Sequence, residues 1–178
     1  MIFLYKSQIA ISDLKIFSKL HQGYINMVIN EVMDYYNETL EGFAIFGSYA
    51  RRENRKNSDL DLLIILKEAP GFSKRIREFV ENIEIKHEHI AQKLYEDEEI
   101  NCDLSPYILS YDEALKLQPI YFDLVEHNII IFDPKKIISR IIDSTKDIIY
   151  KSNAKKTSYG NFFEWNFEDV GFLGGSNL

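Results

Sequence analysis

The alternation of apolar and polar positions divides the chain into a small set of elements. Residues 11–38 carry Leu14, Phe17, Tyr24, Val28 and Val32 at roughly helical spacing, which predicts a long amphipathic helix capped by Ser12 or Asp13. The apolar run Phe43-Ala44-Ile45-Phe46 stops at Gly47-Ser48 and predicts a buried strand ending in a glycine turn. A polar stretch from Arg51 to Ser58 follows, read as a loop or short helix. Leu60 to Leu66 is apolar at every position except Asp61, the signature of a central strand buried on both faces. Pro70-Gly71 closes it, and a second helix is expected from Phe72 to about Tyr95.

A third strand is expected over Ile100 to Leu109, with Asp103 inside it. Short helices follow over Asp112–Leu117 and from Pro119 to about His127. Ile129 to Phe132 reads as a short strand. Asp133-Pro134 has the form of a helix start, an N-cap acid followed by a proline whose missing N–H costs nothing in the first turn. Ile137, Ile138, Ile141, Ile142, Ile148 and Ile149 give that helix an apolar stripe. The order predicts an α+β domain, a small mixed β-sheet flanked by helices, with an added C-terminal helix. Residues 1–152 are assigned to this domain. Residues 153–178 are assigned to an aromatic tail whose Tyr159, Phe162, Phe163, Trp165 and Phe167 are too apolar for a solvated linker. They are expected to pack on the domain or on a partner, with Gly174 to Leu178 mobile.

Charge and cysteine content narrow the classes. A formal charge of −7 with basic residues only in short groups argues against tracking a nucleic-acid backbone, and a nucleotide is easier to accommodate than a duplex. A single cysteine, Cys102, excludes an internal disulfide and fits a reducing cytoplasm. The N-terminus lacks a signal-peptide pattern, and no segment approaches the roughly 18 apolar residues of a membrane span. A soluble cytoplasmic protein is expected, and a homo-oligomer is compatible with the sequence.

The chemistry concentrates in Gly47 to Leu66. Asp59 and Asp61, two apart on a strand, would point to one face, and two carboxylates beside five apolar residues repel unless a divalent cation resolves the conflict. Mg²⁺ suits such a site, because it takes few protein carboxylates and leaves its other positions to phosphate and water. Backbone N–H groups at Gly47-Ser48 and the Ser48 hydroxyl could hold phosphate oxygens at a helix start. Arg51, Arg52 and Lys56 follow within reach, although a solvated loop is the ordinary role for such residues. No P-loop sequence is present. A second ion would need a further acid from another strand, for which Asp103 is the candidate; its ordinary alternative is a strand acid facing solvent. His87 and His89 are two apart on a predicted helix and make a poor metal pair.

Gly47-Ser48, ten residues, then Asp59-Leu60-Asp61 resembles the minimal nucleotidyltransferases of the DNA polymerase β superfamily. The resemblance implies a mixed sheet flanked by helices, ATP or another NTP as donor, two Mg²⁺ ions held by Asp59, Asp61 and Asp103, and pyrophosphate as product. Many small prokaryotic members are antitoxins of HEPN/MNT pairs, which implies a helical HEPN-type protein as partner and hydroxyl acceptor. A longer group of members shares features resembling Asp103-Leu104-Ser105-Pro106, Pro119 to Glu126, Ile131-Phe132-Asp133 and Trp165. One departure is Arg52, where many members have glycine: either the turn is stiffer or Arg52 adds a phosphate contact. The alternatives to catalysis are an antitoxin acting by occlusion and transfer to a small molecule, which would need an acceptor pocket.

Overall fold

The computed structural model describes residues 13–159 and 162–166. The first helix, α1, spans Lys19–Tyr36, and Ser18 caps it: extended at φ −153°, its side chain accepts from the His21 N–H. The helix was expected to begin near residue 11 on a Ser12 or Asp13 cap. Ser12 lies outside the described residues, and Asp13 to Phe17 are not helical. These residues are held by other bonds. Asn54 Nδ2 donates to the Lys15 carbonyl, Lys15 Nζ to the Asn54 carbonyl, and Arg52 Nε to the Asp13 carbonyl. A cap competes with such contacts, and here Ser18 wins.

Strand β1 is Leu40–Phe46, every residue of it buried. It runs into a four-residue helix, α2, Gly47–Ala50. Strand β2 is Leu60–Leu66, and helix α3 is Phe72–Phe79. A π turn, Val80–Glu84, joins α3 without a break to α4, Ile85–Glu98. Strand β3 is Leu104–Ser110. Its expected start at Ile100 is corrected, and Asp103 stands just outside it. Glu99 ends α4 in the left-handed conformation, and residues 100–103 are used to turn the chain back towards the sheet.

Helix α5, Tyr111–Ala114, starts on a reciprocal cap between Ser110 and Glu113. Helix α6 is Tyr121–Glu126, strand β4 is Ile129–Phe132 and helix α7 is Ile137–Lys151. Asp133 serves α7, but not as its N-cap: Lys136 occupies that position, and the Asp133 carboxylate reaches forward to accept from the Ile138 and Ser139 N–H groups. Strands β5, Lys155–Tyr159, and β6, Phe162–Asn166, pair as an antiparallel hairpin. The side chains of Tyr159, Phe162 and Phe163, and all of Phe167 and Gly174 to Leu178, lie outside the described residues.

The main sheet has the order β3-β2-β1-β4, with β2 and β3 parallel and the other pairs antiparallel. It is the mixed sheet of an α+β domain. Leu60, Leu62, Ile64 and Leu66 of β2 pack towards α1, α3 and α4 with Val28, Ile29, Phe79 and Leu94. Leu63 and Ile65 face the other way, onto Tyr121, Leu124, Ile138 and Ile141 of α6 and α7. This two-sided burial is why residues 43–46 of β1 and, apart from Asp61, all of β2 read as apolar runs. By the strand's period of two, Asp61 shares the face of Leu63 and Ile65. Among the described residues no helix is long and apolar enough to cross a membrane.

Candidate active site

The site is assembled where β1 turns into α2 and β2 begins. Phe46, the last residue of β1, is paired with Asp61. Gly47 therefore lies against the Asp61 carboxylate. A Cβ on Gly47 would stand 2.0 Å from Asp61 Oδ2, and its φ of +66° is in the left-handed region. Both facts demand glycine. Behind α2, Tyr49 is fully buried, and its hydroxyl lies 3.1 Å from His21 Nε2. His21 Nδ1 accepts from the Phe17 N–H, so the ring proton sits on Nε2 and points to Tyr49. Burial lowers the His21 pKa and keeps this ring neutral. The glycine turn is thus fastened to α1 from below.

The Asp61 pKa is pushed up to about 6, first by burial. A hydrogen bond from Ser105, its partner across the parallel ladder, works against the shift. The like charges of Asp59 and Asp123 raise it further, and Arg51 opposes them. Asp59 is exposed and stands one residue before β2. A half-buried carboxylate raised by two neighbouring carboxylates is the donor chemistry that a divalent cation satisfies. The Asp59–Asp61 pair fits that requirement. Among the described residues, no group of three His, Cys, Asp or Glu side chains stands in a metal-holding arrangement.

Asp103 is brought near by the pairing of β2 with β3 but is differently engaged. Its backbone carbonyl accepts from the Leu60 N–H at 2.9 Å, which sets it beside Asp59 at the strand ends. Its carboxylate is exposed and accepts from Asn101 Nδ2 at 2.7 Å. Asp103 also borders a cleft of about 450 Å³ lined by Tyr24, Glu84, Glu88, Tyr95 and Cys102. Burial first, then the charges of Asp103 and Glu98, push the Cys102 thiol up to about 12, so it is an inert thiol at neutral pH.

The three basic residues have separate placements. Arg51 Nη1 donates to both oxygens of Asp123 at 2.8 Å, and its Nε donates to Glu53. Arg52, exposed, holds φ +59°, and its Nε reaches the Asp13 carbonyl. The turn does require a left-handed residue where many of the resembling sequences have glycine, and arginine occupies it. Lys56 Nζ donates to the Glu98 carbonyl, and its own carbonyl accepts from Asn101, stitching the 51–58 loop to the approach to β3. The structure therefore brings together Gly47, Ser48, Arg51, Asp59 and Asp61. It engages Arg52, Lys56 and the Asp103 carboxylate elsewhere.

Two residues of this corner, Ser105 and Asp123, lie in segments that the sequence matched to the family but were not singled out as site residues. Asp123 is an acid inside the otherwise apolar run Ile120-Tyr121-Phe122-Asp123-Leu124-Val125, which was the available clue.

The model of the nucleotidyltransferase domain family matches residues 25–148, a range that runs from within α1 into α7. A curated Methanocaldococcus jannaschii protein, provisionally named a protein adenylyltransferase, is 39% identical over 49 residues, or 26% of this chain. The match spans 57% of that relative's length. Among solved structures, a toxin–antitoxin complex with AMP-PNP is similar at 14% identity and a TM-score of 0.39, covering 71% of this chain and 90% of that one. The complex of tri-AMPylated Shewanella oneidensis HEPN toxin with MNT antitoxin is similar at 14% identity and a TM-score of 0.38, covering 74% and 92%.

Proposed function

The chain belongs to the nucleotidyltransferase domain family, and from that premise we propose that it transfers a nucleotidyl group, AMP by preference, from an NTP to a hydroxyl acceptor with release of pyrophosphate. The observation that carries the reading is the close approach of Gly47 to the Asp61 carboxylate, where a Cβ would stand only 2.0 Å from Oδ2. It puts the phosphate-gripping turn and the acidic strand in one place, as the transfer of a phosphoryl-linked group to an oxygen requires. In this reading Asp59 and Asp61 hold Mg²⁺, which when bound neutralises charge on the triphosphate. The Gly47 and Ser48 N–H groups and the Arg51 guanidinium orient the phosphates. Asp103, on the neighbouring chain segment, takes up the acceptor's proton.

The acceptor proposed first is a hydroxyl on a helical protein of the HEPN type, on the strength of the sequence resemblance. A small-molecule acceptor is the second reading, and the cleft of about 450 Å³ beside Asp103 favours it. The test is incorporation of α-labelled ATP, with Mg²⁺, into a co-expressed helical partner, beside Asp59→Asn and Asp103→Ala variants. Label that disappears in both variants supports transfer and the roles of Asp59 and Asp103. A stable complex that never acquires label, with a partner still neutralised by Asp59→Asn, replaces catalysis with occlusion.

A further inference from the structure

Helix α6 is only six residues long, too short to hold its own position, and each of its sides is occupied differently. Tyr121 and Leu124 are buried in the core against α7. Phe122 and Glu126, one turn apart, meet the C-terminal hairpin. The Phe122 ring stands 5.8 Å from that of Trp165, and Glu126 pairs with Lys156, whose ammonium lies 6.0 Å from the same indole. Asp123 holds Arg51 with both oxygens. The Arg51 and Asp123 side chains are only 20% and 14% exposed, so this pair is less screened than a surface one. The hairpin lies outside the residues that the family model matches, whereas Asp123 and Arg51 lie inside them.

We propose that Asp123 is a positioning residue for donor binding, and that the β5–β6 hairpin sets donor affinity through it. The inference rests on the nucleotidyl-transfer reading. Arg51 is the residue that ends α2, the helix opened by Gly47, so its guanidinium leaves the chain three residues from the phosphate-gripping Ser48. A long arginine side chain has many rotamers, and ordering it only when the triphosphate arrives would weaken binding. Asp123 orders it beforehand. The position of Asp123 depends in turn on α6, clamped between the core and the Trp165 side of the hairpin. Loosening the hairpin therefore reaches the donor site through α6 and the Arg51–Asp123 ion pair.

The test measures binding of a non-hydrolysable ATP analogue with Mg²⁺ by calorimetry on the full chain, together with the KM and kcat of label transfer. Asp123→Ala is expected to weaken binding roughly two- to tenfold, about the cost of immobilising one side chain. KM should rise by the same factor with kcat at saturating NTP unchanged, and Asp123→Glu should recover most of the loss. Trp165→Ala should weaken binding in the same direction, and combining it with Asp123→Ala should add nothing further, because both act along one route. Tighter binding in Asp123→Ala overturns the inference, since it would make Asp123 a competitor of the phosphates for Arg51. Additive losses overturn the part assigned to the hairpin. If the wild-type chain binds no analogue, the transfer reading falls and takes this inference with it. If the wild-type chain binds and Asp123→Ala binds equally, only the inference falls.

Discussion

The parallel pair β2–β3 has a carboxylate at each end, and the two live under opposite conditions. At the far end, Glu113 follows β3 and faces Arg75, a buried arginine whose Nε, Nη1 and Nη2 donate to the Pro70 carbonyl, the Ile108 carbonyl and both Glu113 oxygens. The Arg75 hydrogen bond, with the Ser110 cap behind it, holds the Glu113 carboxyl down at about 2. At the near end, Asp61 is pushed up to about 6 by burial and by Asp59 and Asp123. One end has all its charge compensated within the fold, and the other is short of positive charge. The uncompensated end is the one where the proposed Mg²⁺ would supply the missing positive charge.

The comparison breaks most sharply at Asp61. Asp61→Asn is expected to lower label transfer by more than about 100-fold, the scale on which metal-site substitutions act, and a rate assay at saturating ATP and Mg²⁺ decides it. Retained activity would mean that the strained end is not the reactive one. The settled end should respond in stability instead. Arg75→Ala strands the Ile108 carbonyl and Glu113, and is expected to cost about 2–3 kcal/mol in urea unfolding, with transfer per folded molecule unaltered.

The same substitution at Asp61 should stabilise the ligand-free protein by up to about 2 kcal/mol at pH 7–8, by removing a buried charge. The sign follows from the shifts. Asp61 has a folded pKa above its unfolded value of 3.8, so the native state keeps the proton longer, and stability falls as pH rises from about 4 to 6. Glu113 has a folded pKa below its unfolded value of 4.5; its contribution is full above that value and is lost as pH falls towards 2. Unfolding curves across pH should show both limbs. Asp61→Asn should flatten the first, and Glu113→Gln the second. The smallest effect is expected outside both ends: in Arg52→Gly, at φ +59°, about 0.5–1 kcal/mol of relief from the left-handed conformation is set against loss of the Nε bond to the Asp13 carbonyl, so the melting temperature should barely move.

Much of this was legible in the sequence, for reasons that are themselves physical. Strands β1 and β2 announce themselves because burial on both faces leaves their runs almost wholly apolar, and β4 because it is four apolar residues in a row. The glycine turn and Asp59-Leu60-Asp61 are recognisable because their spacing is local. What escaped depends on distance along the chain. Ser18 and Asp13 are equally good caps on paper, and only the bonds from Asn54 and Arg52 to the preceding segment decide between them. Asp133 looks like an N-cap and acts one turn later. Asp123 gains its meaning from Arg51, 72 residues away in sequence.

The π turn at Val80–Glu84 has a consequence for helical phase. One extra residue in a turn advances everything after it by about 100° around the axis. The side chains of α4 are therefore set about a quarter-turn from where an uninterrupted α3 would have carried them. Buried Ile83 and Leu94 face the sheet, while Ile85 and Tyr95 stand outside, 54% and 65% exposed. Removing a single residue from this segment would rotate α4 back as a rigid cylinder. It would exchange parts of its dry and wet faces and close one wall of the Asp103 cleft, although every strand would keep its sequence.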